Sequence, residues 1–365
     1  MKFKFSRVMK NSIALVVLFV LALSFFPFQK AGALTLSPTL LELGVEPGGE
    51  INSKIKVFNE SSGTVSLYPS AVNFTSQDEI GTPYFLYEEK EGLAAWIEII
   101  PGPIVLLPGE RQDVIFTIKV PQGAESGGHY AGILFGSAPS DVSPETGQVT
   151  IVSKLGALLL VRVSGDVTFQ SAIQEFHILN DKTFFTRLPV DFWYRLRNGG
   201  NLHIRPQGEI AIKNIFGLTV TRKPKEDMDA AERRKYQYRF VDANPVDGAV
   251  LPESIRRFEA AWKKSEPYDI EYRNFFQNFF SQAIAEYKNF AFGRYTAFLK
   301  LPNVPESLSM QGISFWVFPW HFLIVFIVIL TISIWLVVLI VSRYNRWIIN
   351  RARAKFEKEK TSNDE

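Results

Sequence analysis

Cysteine is absent from this 365-residue chain. That excludes a disulfide framework, a lipid-modified cysteine anchor, a thiol nucleophile and any zinc site built on thiolates. Histidine is scarce: His129, His177, His203 and His321 are the only four, and no two stand at the i, i+4 spacing of a helical zinc-hydrolase motif. Neither a phosphate-binding glycine loop nor a G-x-S-x-G nucleophile turn can be written. His129 follows Gly127-Gly128, where a backbone can be approached closely, and reads as a strand-edge histidine. Glu88, Glu89 and Glu91 read as a solvated loop cluster. A glycosidase needs only two carboxyls at a suitable separation, and no pattern here favours such a pair. The expectation is therefore no catalytic residue, no metal, no cofactor and no enzymatic activity.

What is present in excess is apolar length. Phe322 to Val341 runs for 20 residues without a charge, and at about 1.5 Å per residue it matches the roughly 30 Å hydrocarbon core of a bilayer. Aromatics crowd its first boundary (Phe315, Trp316, Phe318, Trp320), and Tyr344 and Trp347 mark the second. Seven basic residues follow between Ser342 and Glu365, whereas none lies between Pro302 and Phe322. The positive-inside rule then predicts a transmembrane helix over 322–341, a basic cytoplasmic tail over 342–365 and everything before the span outside the cell. The N-terminus agrees. Lys2, Lys4, Arg7 and Lys10 precede a short apolar core and Ala31-Gly32-Ala33, the pattern of a signal peptide over 1–33. Of the formal charge of +3, residues 1–33 carry +5 and 342–365 carry +3, leaving −5 for the ectodomain. A mildly acidic ectodomain argues against a nucleic-acid partner.

Residues 34–164 read as short strands between Pro and Gly turns. Ile51, Ser53, Ile55 and Val57 alternate with polar neighbours, as do Val114, Phe116, Ile118 and Val120, the period of a strand with one buried face. Glu46-Pro47-Gly48-Gly49 and Leu107-Pro108-Gly109-Glu110 supply turns. Seven or eight such strands predict an all-β sandwich of immunoglobulin type without its cysteine pair. Asn59-Glu60-Ser61 and Asn73-Phe74-Thr75 match glycosylation sequons. A second sandwich is expected over 165–305. Its clearest strand is Val190–Leu196, with a turn at Asn198-Gly199-Gly200-Asn201 and a last strand over Gly293–Leu301. Helical insertions are expected near 223–238 and 268–292, followed by a short proline-stiffened spacer at Pro302-Asn303-Val304-Pro305 and a membrane approach over 306–321. In the second insertion Phe275, Phe276, Phe279 and Phe280, with Ala283, Ile284 and Tyr287, recur at three- and four-residue steps and draw an aromatic stripe. Three roles are open to it: packing on the sandwich, a partner or self-association surface, or contact with the nearby bilayer.

Leu36-Ser37-Pro38, Val45-Glu46-Pro47-Gly48 and Val57-Phe58-Asn59 resemble the opening of the sandwich in periplasmic pilus chaperones. Leu107-Pro108-Gly109-Glu110, Val120-Pro121 and Gly127-Gly128-His129-Tyr130-Ala131-Gly132-Ile133 together resemble the WxL-interacting surface proteins of Gram-positive bacteria, whose layout is also similar: signal peptide, tandem sandwiches, one C-terminal span. That resemblance implies a non-enzymatic, membrane-anchored surface protein that contacts peptidoglycan or another surface protein. Two alternatives stay open, an assembly factor that donates or accepts a β-strand at a sheet edge and an envelope hydrolase.

Overall fold

A computed structural model describes residues 34–137, 154–222, 239–265, 274–304 and 312–363, with the side chains of the last helix described as far as Ala352. The expected signal peptide over 1–33 and the insertion near 223–238 lie outside the described residues. Two compact units form the chain: residues 1–75 with 83–167, and residues 76–82 with 168–365.

The first unit is a β-sandwich. One sheet has the order β1 (Leu34–Ser37), β3 (Glu50–Asn59), β8 (Arg111–Lys119), β6 (Ile97–Ile99). The other runs β2 (Leu40–Val45), β10 (Lys154–Val163), β9 (Gly127–Gly136), β4 (Val65–Ser76), β5 (Pro83–Leu86), with β7 (Ile104–Leu106) also on β4. The opening segment changes sheets at Pro38, so that β1 lies antiparallel on β3 while β2 lies parallel on β10. The turn before β3 needs its glycine: Gly49 N–H closes on Glu46 O at 2.9 Å and Gly48 has φ 78°, which an L side chain resists. Ile55, Val57, Val114, Phe116, Ile118, Ile133, Phe135, Leu159 and Val161 fill the space between the sheets, and a one-turn helix, α1 (Leu93–Trp96), adds Leu93. Each large side chain so buried contributes about 1.5–3 kcal/mol.

The second unit is also a two-sheet structure. The order is β11 (Ser171–Ile178), β13 (Val190–Asn198), β15 (Ser254–Trp262) in one sheet and β12 (Phe184–Phe185), β17 (Gly312–Val317), β16 (Gly293–Lys300), β14 (Glu209–Asn214) in the other. Phe192, Trp262, Tyr295 and Phe315 meet in its core, with ring centroids 5.0 to 6.1 Å apart. Glu79 of the 76–82 segment receives the Arg195 guanidinium, and its carbonyl accepts Arg257 N–H at 2.6 Å.

One expectation is corrected here. The range 306–321, expected to be a membrane approach, contains β17, which pairs with β16 and β12 and buries Phe315 and Val317 completely. Ile313, Phe315 and Val317 have the period of a half-buried strand, and the aromatic residues among them mimic a membrane-interface belt. The last strand of the sandwich is thus β17, not Gly293–Leu301. Of the insertion expected near 268–292, the described helix is α2 (Phe275–Lys288). The final helix, α3, runs Trp320–Asn363, beyond the 322–341 stretch at both ends.

Candidate functional site

Two regions carry unsatisfied or exposed chemistry, one in each unit. In the second unit α2 and α3 join. Ala283, Ala285 and Glu286 form the buried face of α2, and Phe279 sets its ring 6.1 Å from Trp320 and 5.3 Å from His321. Glu286 is fully buried: one carboxyl oxygen lies 2.6 Å from His321 Nδ1 and the other accepts Phe322 N–H at 2.9 Å. The first amides of a helix have no partner within it, so this carboxyl group caps α3 from a neighbouring element. Asn289, also buried, anchors the far end of α2 by accepting Ser265 N–H and Oγ–H.

The aromatic stripe is divided by this packing. Phe279 turns inward, whereas Phe275, Phe276 and Phe280 are 78%, 73% and 52% exposed, with Ile284 and Tyr287 continuing the outward face. Steps of four along 276, 280 and 284 keep them on one side of the helix. From Phe326 to Ile349 the large apolar side chains of α3 are exposed as well. Residues Trp320–Ala352 are long and apolar enough to cross a membrane, and none of their most apolar stretch is buried inside the protein.

In the first unit the notable feature is the outer side of β2. Leu158 N–H donates to Thr39 O and Ser164 N–H to Val45 O, each at 2.9 Å, so the odd residues of β2 bond to β10. By strand alternation Leu40, Glu42 and Gly44 turn their backbone groups outward, and the Glu42 side chain is exposed. Among the described residues no strand pairs with that side. Leu41, Leu43 and Val45 pack on the core, Leu40 is exposed, and exposed Arg162 stands opposite Gly44 in the register. Beside β5, Tyr84, Phe85, Leu86, Tyr87, Glu88 and Glu89 line a concavity of about 490 Å³, with Lys154 Nζ 4.6 Å from the Tyr87 ring centre.

The remaining candidates are structural. His129 lies in β9, its Nε2 2.9 Å from Glu125 O and its ring 4.6 Å from that of Trp96. Both sequon asparagines are buried: Asn59 Nδ2 donates to the carbonyls of Gly63, Leu106 and Leu107, and Asn73 Oδ1 accepts Ala94 N–H at 2.8 Å. Neither is open to a glycan. Among the described residues no three His, Asp or Glu side chains gather as a metal site would require. The carboxyl capping α3 was not legible in advance, because Glu286 falls on the polar side of the aromatic pattern. Its one signal is that a helix beginning Trp320-His321-Phe322 brings no capping side chain of its own.

No family model matches this sequence, and no curated protein does. The resemblance to WxL-interacting proteins therefore has no family match behind it. Solved structures that are similar include the class 5 fimbriae chaperone CfaA, 11% identical over 79% of this chain and 100% of that one, TM-score 0.32. The E. coli chaperone DraB is 11% identical over 78% and 98%, TM-score 0.28. PapD-like domain 7 of human CEP192 is 17% identical over 36% and 86%, TM-score 0.25. The structural neighbours are thus pilus-chaperone-type sandwiches, at a loose likeness that transfers no function.

Proposed function

We propose that this chain is a membrane-tethered, non-enzymatic binding protein whose first sandwich accepts an extended segment of an exported protein along the outer edge of β2. The observation that supports it is that edge itself: outward backbone groups, an exposed Leu40, no lysine or proline to blunt it, Glu42 as its one charge, and Arg162 beside it. Natural sheets block idle edges with charges, prolines or bulges, because an open edge invites another strand. In this reading α3 crosses the bilayer, the basic tail is cytoplasmic and both sandwiches are outside. The exposed face of α2 (Phe275, Phe276, Phe280) lies in the membrane interface beside the first turn of α3.

The absence of native cysteine makes the test clean. A photo-cross-linker on Leu40→Cys, the sole thiol, is expected to capture an exported protein through a short backbone-paired segment. Gly44→Pro removes one outward N–H and should cut that adduct at least tenfold. Gly44→Ala should leave it, since a Cβ there meets nothing within 4 Å. An adduct indifferent to Gly44→Pro would defeat strand addition. A second reading, binding of a cell-wall polymer, is favoured by the exposed rings of Tyr84 and Tyr87 beside Glu88 and Glu89; retention on peptidoglycan that is lost in Tyr84→Ala/Tyr87→Ala would support it.

A further inference from the structure

Where β15 ends, the second unit is hollowed by a basin of about 770 Å³. Arg222, Arg239, Lys264 and Lys288 line it, with Trp262 and Tyr295 against them, and among the described lining residues there is no carboxylate. The cations are placed by the fold. Arg222 N–H donates to Arg239 O at 2.5 Å, which sets those two backbones side by side. Lys264 Nζ donates to Phe290 O at 2.5 Å, and Lys288 is the last residue of α2. The two aromatic rings meet edge to face at 5.0 Å, giving a firm wall. Burial, and then the nearby Arg239 guanidinium, hold Lys264 below the usual lysine pKa. Arg222, Arg239 and Lys264 are exposed to solvent; like charges gathered in one hollow still repel one another, and an anion among them relieves that repulsion.

The basin also stands at a defined level on α3. Phe290, whose carbonyl holds Lys264, has its ring 5.6 Å from that of Phe322, and Tyr287 lies 5.6 Å from the same ring. Phe322 is in the first turn of the apolar helix. If α3 spans a bilayer, its first turn is at the headgroup layer, and so is the basin. Two guanidinium forks and the Lys264 ammonium suit a phosphate, which arginine holds through paired N–H donors. Exposed Phe276, Phe280 and Tyr287 on the adjoining helix would meet acyl chains. From this placement we propose that the basin binds the phosphate of an anionic phospholipid headgroup, a proposal that rests on α3 being a membrane span.

The test uses the full chain in dodecyl maltoside micelles, titrated calorimetrically with dihexanoyl phosphatidylglycerol, dihexanoyl phosphatidylcholine and inorganic phosphate. Phosphatidylglycerol should bind at least tenfold more tightly than either of the others. Arg239→Gln/Lys264→Met should weaken it at least tenfold, and Lys300→Gln, on the far end of β16, should not change it. Arg222→Gln is the gentler variant should the double one fail to fold, with a loss of about threefold expected at an unchanged melting temperature. Inorganic phosphate binding as tightly as the lipid would overturn the headgroup in favour of a free phosphate. The residues between Arg222 and Arg239 include Glu226, Asp227, Asp229 and Glu232. Lipid binding that appears only when these four become amides would overturn the proposal, making the chain's own acids the occupant. Alkaline carbonate extraction of cell membranes reads the span separately. A chain that stays in the membrane but ignores phosphatidylglycerol refutes the basin, whereas one that binds the lipid but washes off refutes the span alone.

Discussion

Asn59 and Asn198 do the same work in the two sandwiches. Each ends a strand, is fully buried, and spends its amide on the carbonyls of the turn it begins. Asn198 Nδ2 donates to Leu202 O and Val250 O, while its Oδ1 accepts Gly200 N–H at 3.0 Å. Asn198→Ala would orphan Leu202 O and Gly200 N–H, while Val250 O keeps Ile204 N–H, and is expected to cost about 2–4 kcal/mol, read as a fall in the denaturant midpoint of the full chain in micelles. Tyr194 presents the opposite case. Its ring stacks on Phe258 at 5.1 Å, but its hydroxyl is buried without a hydrogen-bond partner, and burial pushes the phenol well above its ordinary pKa. Tyr194→Phe keeps the stack and drops the stranded hydroxyl, so a gain of about 1 kcal/mol is expected; a loss would mean that an unseen partner holds it. Asp191 is held above the ordinary carboxylate range by desolvation and, second, by Glu259. Its raised folded pKa means that the folded state binds this proton more tightly, so its contribution falls as pH rises through the interval from the unfolded to the folded value. Asp191→Asn should therefore melt higher than the native chain at pH 7 by roughly half a kcal/mol, because the side chain is open to solvent and screened, and the difference should vanish below about pH 3.

At the scale of elements, α2 and β17 matter most, and the sequence shows them unequally. The aromatic repeat of α2 is plain in the sequence, but which ring faces inward depends on where α3 begins. Only Phe279 meets Trp320 and His321, and Glu286 sets that register by capping Phe322. Glu286→Leu leaves the Phe322 N–H and His321 without their partner. Amide exchange across residues 275–288 should then rise at least tenfold, whereas unchanged exchange would mean that apolar contacts alone dock α2. β17 was hidden for a different reason. Its aromatics lie just before an apolar helix, where the same residue types anchor spans, and only pairing with β16 separates the two roles.

For the whole molecule, the position of β17 fixes where the folded part before α3 must stop. A chain ended at Val304 lacks Phe315 and Val317 from its core and is expected to aggregate. One ended at Pro319 keeps both sheets of the second unit and should elute as a folded, soluble species with a cooperative melt. Equal behaviour of the two would mean that β17 is dispensable. The longer chain with α3 should resist carbonate extraction, as the Pro319-terminated one should not.

The sequence alone determined what depends on local period and on composition: alternation at Ile51–Val57 and Val190–Leu196, the Pro-Gly turns, and the uncharged run of Phe322–Val341. These follow from nearest-neighbour geometry and from the length needed to cross apolar solvent. It left undecided everything that rests on which distant segments meet. Cations separated by 66 residues, Arg222 and Lys288, line one basin, and a glutamate in one helix caps another 36 residues away. Among the described residues the outer side of β2 is open because β2 ends its sheet, paired on β10 alone. Such pairings are long-range closures whose partners no local pattern names, so the tertiary structure decided them.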